Sequence, residues 1–130
     1  MSPAVLAPEV PTLVLEPDGR AAGRARRFVA ARFAEWGIAD DEIGRLVVSE
    51  LVTNAYVHGE GRIVVRVFVD ERDRLPVVEV WDGGAKLPFI PAADCTATSG
   101  RGLLLVAELV RAWGVRPLNE GGKITWAKLH

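Results

Sequence analysis

Cysteine is nearly absent: the 130 residues contain one, Cys95, so no internal disulfide can form and folding rests on the core. Excess charge is lacking too. Sixteen Lys and Arg stand against 17 Asp and Glu, a formal net charge of −1, and the isoelectric point is near 6.1. Such a balance supplies no bulk basic surface for phosphate backbones, so direct nucleic-acid binding is not expected. No apolar run approaches the roughly 18 residues a membrane span requires, and no membrane contact is expected. His58 and His130 are the only histidines, too few beside one cysteine for a zinc site. A GxxxxGK[ST] phosphate loop is missing as well. With no secretory leader before the first apolar run, the expected location is reducing and cytoplasmic.

What is present describes a globular chain with a core: 49% hydrophobic residues, 25% charged and a mean hydropathy of +0.17. The length predicts one domain. Residues 1–9, rich in Ser and Pro, are expected to be a flexible N-terminus, and residues 10–130 the folded unit. Val10 to Leu15 reads as a short strand ended by Pro17-Asp18-Gly19. Ala25, Phe28, Val29, Phe33 and Trp36 then recur at helical spacing until Gly37, with Asp18 as a cap. Arg20, Arg24 and Arg27 fall on the opposite, solvated face.

A second helix opens at Asp40-Asp41-Glu42, carboxylates suited to a helix N-terminus, and runs to His58-Gly59. Arg62 to Asp70, alternating at Ile63, Val65, Val67 and Val69, and Val77 to Asp82 read as strands, and the short polar connection Glu71-Arg72-Asp73-Arg74 predicts an antiparallel hairpin. Gly83 to Ser99 has no period, and a loop of that length in a compact domain is usually functional. Gly100-Arg101-Gly102 opens an apolar helix, Leu103 to Trp113, which Gly114 should stop. Asn119-Glu120-Gly121-Gly122 turns into a last strand, Lys123 to Leu129. This inventory predicts an α+β fold, a two-layer sandwich of helices on a mostly antiparallel sheet.

Three features do not fit a plain core. On the second helix, Ile43, Leu46 and Val47 define one face, and Glu50 and Asn54 project in the middle of it with His58 at its edge. Polar groups aimed at a core are costly unless satisfied. At i, i+4 and i+8 they form a stripe fit for a ligand, and their oxygens suit Mg²⁺ with waters and phosphates better than a soft metal. Asp82-Gly83-Gly84 ends an apolar strand, where it is either a plain turn or an acceptor aimed into a pocket. Gly100-Arg101-Gly102 before a helix is either a hinge or an anion site of free N–H groups.

In order, Glu50-Leu51-Val52-Thr53-Asn54-Ala55-Tyr56-Val57-His58-Gly59, Asp82-Gly83-Gly84, Gly100-Arg101-Gly102-Leu103 and Gly121-Gly122-Lys123-Ile124-Thr125-Trp126 resemble the boxes of the histidine-kinase-like ATPases. The resemblance spans residue 10 to the end and implies the Bergerat ATP-binding fold. A phosphoacceptor hairpin, a sensor or a transducer does not fit in this length, which narrows it to the small anti-sigma-factor serine/threonine kinases and related bacterial regulators. It implies ATP and Mg²⁺ as ligands, with Asn54 holding the metal and Glu50 the general base. Asp82 would accept the adenine amino group, Thr125 would support it through water, and Gly84 would let the base sit close. Gly100, Arg101, Gly102 and Leu103 would cover the phosphates, and His58 would lie near them or the ribose. The family's D-x-G-x-G box reads Asp82-Gly83-Gly84-Ala85-Lys86 here, so Lys86 stands for a glycine, as a phosphate contact or a solvated lysine. A sigma factor or an anti-sigma-factor antagonist is the implied protein partner, and a homodimer is a further expectation. The alternatives are a non-catalytic ATP- or protein-binding module and an ATPase timer. Asp82→Asn is expected to weaken ATP binding and leave the fold intact.

Overall fold

The computed structural model describes residues 10–85 and 101–130, without the side chain of Arg101. β1 (Thr12–Leu15) leads into α1 (Ala21–Glu35) and α2 (Glu42–His58); β2 (Ile63–Val69) and β3 (Pro76–Asp82) follow. After them come α3 (Arg101–Leu109), β4 (Ala112–Pro117) and β5 (Lys123–Lys128). The strands form one sheet in the order β1-β2-β3-β5-β4, and every pairing is antiparallel. The helices cover one face, and the α+β two-layer sandwich expected from the sequence is what forms.

Alternation explains the sheet. Ile63, Val65 and Val67 of β2, Val78 and Val80 of β3 and Ala127 of β5 are buried toward the helices, since side chains at i, i+2 and i+4 share a face. Opposite them, α1 contributes Ala25, Val29 and Phe33, and α2 contributes Val47, Val48, Leu51, Val52 and Ala55, forming one continuous core. Asp18 is not the cap of α1: the N-cap is Arg20, with no side-chain cap bond, and the Asp18 carboxylate instead accepts the Arg20 N–H at 2.8 Å in the turn before the helix. Arg20, Arg24 and Arg27 are exposed, as expected. Gly37, at φ 73°, ends that helix in the left-handed conformation.

Two sequence expectations are corrected. The buried stripe of α2 is Gly44, Val47, Val48, Leu51, Val52 and Ala55, whereas Ile43 and Leu46 are exposed. The cause is Gly44. A Cβ there would lie 3.0 Å from the Phe33 ring and 3.2 Å from Val29, so α1 packs closest at a residue with no hydropathy to advertise it. The second correction concerns the third helix, which stops at Leu109 rather than Trp113. Arg111 N–H already donates to Lys128 carbonyl oxygen at 2.9 Å, and Ala112–Pro117 is an edge strand that pairs with β5. Gly114 is therefore not a helix stop. It is the seat of the Trp126 indole, whose Cζ2 lies 2.8 Å from where a Cβ would stand.

Candidate functional site

On α2, Glu50 and Asn54 are half-buried and His58 is exposed. They border the buried stripe of the helix rather than lying in its middle. Four-residue steps set them about 6 Å apart along the axis, so the stripe runs about 12 Å. Each end meets another element. At one end α3 begins: a Cβ on Gly102 would collide with Glu50 Oε2, so the helix start is pressed against this carboxylate. At the other end, a Cβ on Gly59 would stand 2.5 Å from the carboxyl carbon of Asp82. Glycine at both places is what allows α2 to touch both neighbours.

Asp82 ends β3, the third of five strands, and shares the inward parity of Val78 and Val80. It is 2% exposed. Its Oδ1 accepts the Gly84 backbone N–H at 2.8 Å and the Lys123 ammonium at 2.8 Å. Lys123 is the cross-strand partner of Asp82 in the β3–β5 register, and its Nζ also reaches the Gly84 carbonyl oxygen at 3.4 Å. Thr125, opposite Val80, lies two residues along β5 on the same inward face and is buried. The space a side chain would take at Gly84 is bounded by Asp82 Oδ1 at 3.1 Å and by the Glu60 nitrogen and Gly59 Cα at 3.4 Å. Gly84 thus packs the turn onto the end of α2.

The arrangement brings Glu50, Asn54, Gly59, Asp82, Gly84, Gly102 and Lys123 into one band along α2. Leu103 belongs to the hydrophobic core at 1% exposure. Lys86, Gly100 and the side chain of Arg101 lie outside the described residues, as does nearly all of the long loop after Gly84. Sequence reasoning missed Lys123 and the packing role of Gly59. The signal for Lys123 was available, because a lysine at the parity of Thr125, Ala127 and Leu129 must point inward. Among the described residues no group of three His, Cys, Asp or Glu is gathered for a metal. Asn54 would then supply one oxygen to an ion that arrives with its own phosphate and water ligands, the usual habit of Mg²⁺.

Asp70, at the β2–β3 turn and so at the far end of β3 from Asp82, has its carboxyl held well below the ordinary range by the Arg72 side chain and by Lys128. Chemically, the band along α2 offers a carboxylate, an amide and a buried acceptor in line, with a helix start at one end.

Compared with known proteins, residues 15–129 match the model of the family described as Histidine kinase-like ATPase domain. The fold also matches a crystal structure of the RsbU and RsbW domains of Rv1364c from Mycobacterium tuberculosis, with a TM-score of 0.62 and 22% identity. That match covers 92% of this chain and 32% of the other, so this chain spans about a third of that protein's length. No curated protein matches.

Proposed function

From a chain that belongs to the histidine kinase-like ATPase domain family, we propose an ATP-binding regulator of the anti-sigma-factor serine/threonine kinase type. The observation that carries this reading is the continuity of the α2 band, from the start of α3 at Glu50 to the buried acceptor at Asp82. In it, Asp82 takes the adenine amino group, with Thr125 supporting through water and Gly84 shaping the turn beneath the base. Asn54 contributes an oxygen to a Mg²⁺ carried by the triphosphate, whose chemistry is charge neutralisation. Gly100, Arg101 and Gly102 supply N–H groups and charge at a helix start, where anions are favoured. His58 stands near the phosphates or ribose. Glu50 accepts the proton of an attacking serine hydroxyl, or of water where the activity is hydrolytic. Phosphoryl transfer suits such a site because it needs positioning and charge neutralisation more than covalent chemistry.

The partner in this reading is a sigma factor that the protein sequesters, or an antagonist whose serine it phosphorylates, in the cytoplasm. The test is transfer of labelled γ-phosphate, with Glu50→Ala as control. Transfer to protein that disappears in the variant supports the kinase. Phosphate release without a protein substrate would make it an ATPase timer. Binding with neither transfer nor release would sink both in favour of a non-catalytic module, a reading favoured by Lys86 in place of the family's usual glycine.

A further inference from the structure

Lys123 is a buried cation that the proposed chemistry has not used. Its side chain is 3% exposed and that of Asp82 is 2% exposed, so the pair is withdrawn from water as a unit. A buried ion pair is a poor source of stability, because desolvation cancels most of the attraction. What this one does is geometric. Among the described residues, both hydrogen bonds to the Asp82 carboxylate fall on Oδ1, from Lys123 Nζ and from the Gly84 N–H. The carboxylate is thereby fixed in rotation, and Oδ2 is the oxygen left to take a further donor. Lys123 has three N–H bonds. One goes to Asp82 and one, longer, to the Gly84 carbonyl, which leaves a third N–H.

We infer that Lys123 is a specificity-determining residue of the base subsite, donating to the ring nitrogen N1 of adenine while Asp82 Oδ2 accepts from the neighbouring 6-amino group. The inference rests on the reading of Asp82 as the base acceptor and extends it from a lone carboxylate to an acceptor–donor pair. The Watson–Crick edge of adenine presents a donor and an acceptor side by side. Asp82 and Lys123 present the complementary acceptor and donor, held side by side by the β3–β5 register. A hydrogen bond to a charged group in a dry site makes a large difference to affinity, which makes the contact measurable.

The test titrates the protein calorimetrically with ATP, with 1-deaza-ATP, which lacks the N1 acceptor, and with purine riboside triphosphate, which lacks the 6-amino group. The expected result is about a tenfold to hundredfold weaker binding of 1-deaza-ATP than of ATP, with that ratio falling to near one in Lys123→Met. Because Lys123→Met strands a buried carboxylate and could unfold the chain, its fold is checked by circular dichroism before titration, and the analogue series on the unaltered protein stands without it. Equal affinity of the unaltered protein for ATP and 1-deaza-ATP, with purine riboside triphosphate weakened, would overturn the role of Lys123 and leave Asp82 as the base acceptor. A 1-deaza-ATP penalty that persists undiminished in folded Lys123→Met would also overturn it. Failure to bind ATP at all would bring down the nucleotide reading itself.

Discussion

At the scale of single residues, the site is defined by side chains that are missing as much as by those present. Gly102 must be small because Glu50 Oε2 occupies the space beside it. Alanine is the better helix former by about 1 kcal/mol, so Gly102→Ala would be expected to stabilise α3 if the position were free. The atom in the way is the tip of a flexible side chain, so the fold yields cheaply and the carboxylate is displaced. We therefore expect Gly102→Ala to keep its melting temperature within a few degrees while turnover of ATP falls on the order of tenfold to a hundredfold, since small misplacements of a reacting group are that costly. Thermal unfolding beside a phosphate-release or transfer assay checks it. Glu50→Gln is nearly isosteric and removes the proton acceptor alone. Its expected outcome is ATP affinity within about threefold of the unaltered protein and at least about a hundredfold less phosphoryl transfer, the usual scale of a lost general base. Equal losses in affinity and transfer would make Glu50 a binding residue instead.

Among the elements, the β2–β3 turn is the most charged junction. Lys128 Nζ on β5 holds Asp70 Oδ2 at 2.8 Å and Asp73 Oδ2 at 2.7 Å, and Arg72 closes on Asp70 from within the turn. The side-chain hydrogen bond from Arg72 is the largest cause that lowers the Asp70 carboxyl from its ordinary value of 3.8, followed by Lys128. Asp73 is lowered as well, first by Lys128. A carboxyl whose folded value is depressed contributes stability that is fully present above its unfolded value and is lost as pH falls toward the folded one. For Asp70 the window therefore opens below about pH 4. Asp70→Asn should melt lower than the unaltered protein at neutral pH, and the two curves of melting temperature against pH should converge below pH 4. Parallel curves would show that the turn makes no pH-dependent contribution.

The same scale shows what the sequence could and could not convey. Strands β2 and β5 were legible because burial alternates along each, and β3, buried on both faces except at Trp81, was legible as a short valine-rich run. The β2–β3 hairpin followed from its short polar connection. β4 was illegible: Leu103 to Val110 is apolar except for Glu108, so no change of period marks where the helix at Leu109 yields to the strand at Ala112. The pairing with β5 and the seat of Trp126 on Gly114 decide it, and both are contacts distant in sequence. The orientation of α2 was misread for a related reason. Hydropathy gave weight to Ile43 and Leu46, while the contact with α1 is made at Gly44, which carries no hydropathy signal. Glu50, Asn54 and Asp82 could nevertheless be singled out as candidates, because a series of ordered motifs survives an error of rotation about the helix axis.

On the scale of the whole molecule, the buried Asp82–Lys123 pair is part of the fold as well as of the proposed base subsite, and this revises one expectation drawn from the sequence. Asp82→Asn should not leave the fold untouched, because it strands the Lys123 ammonium in a dry site. Breaking a buried pair from one side costs about 3 kcal/mol or more, a large share of the 5–15 kcal/mol by which domains are generally stable. Asp82→Asn/Lys123→Met removes both charges and should recover much of that loss, since uncharged replacements of buried pairs are often neutral. The variants then separate two roles that a lone substitution confounds. In the unaltered protein, Mg-ATP at 100 times its dissociation constant should add about 2.7 kcal/mol to stability. For a domain of this size that is a rise in melting temperature on the order of 10 °C. In the double variant the melting temperature without nucleotide should approach that of the unaltered protein, while the rise on adding the same concentration of Mg-ATP should largely disappear. Differential scanning fluorimetry across a nucleotide series measures both quantities in one experiment. A double variant that kept the full ATP-dependent rise would remove Asp82 from base recognition, and one that stayed as unstable as Asp82→Asn would show that the pair contributes to the fold beyond its charges.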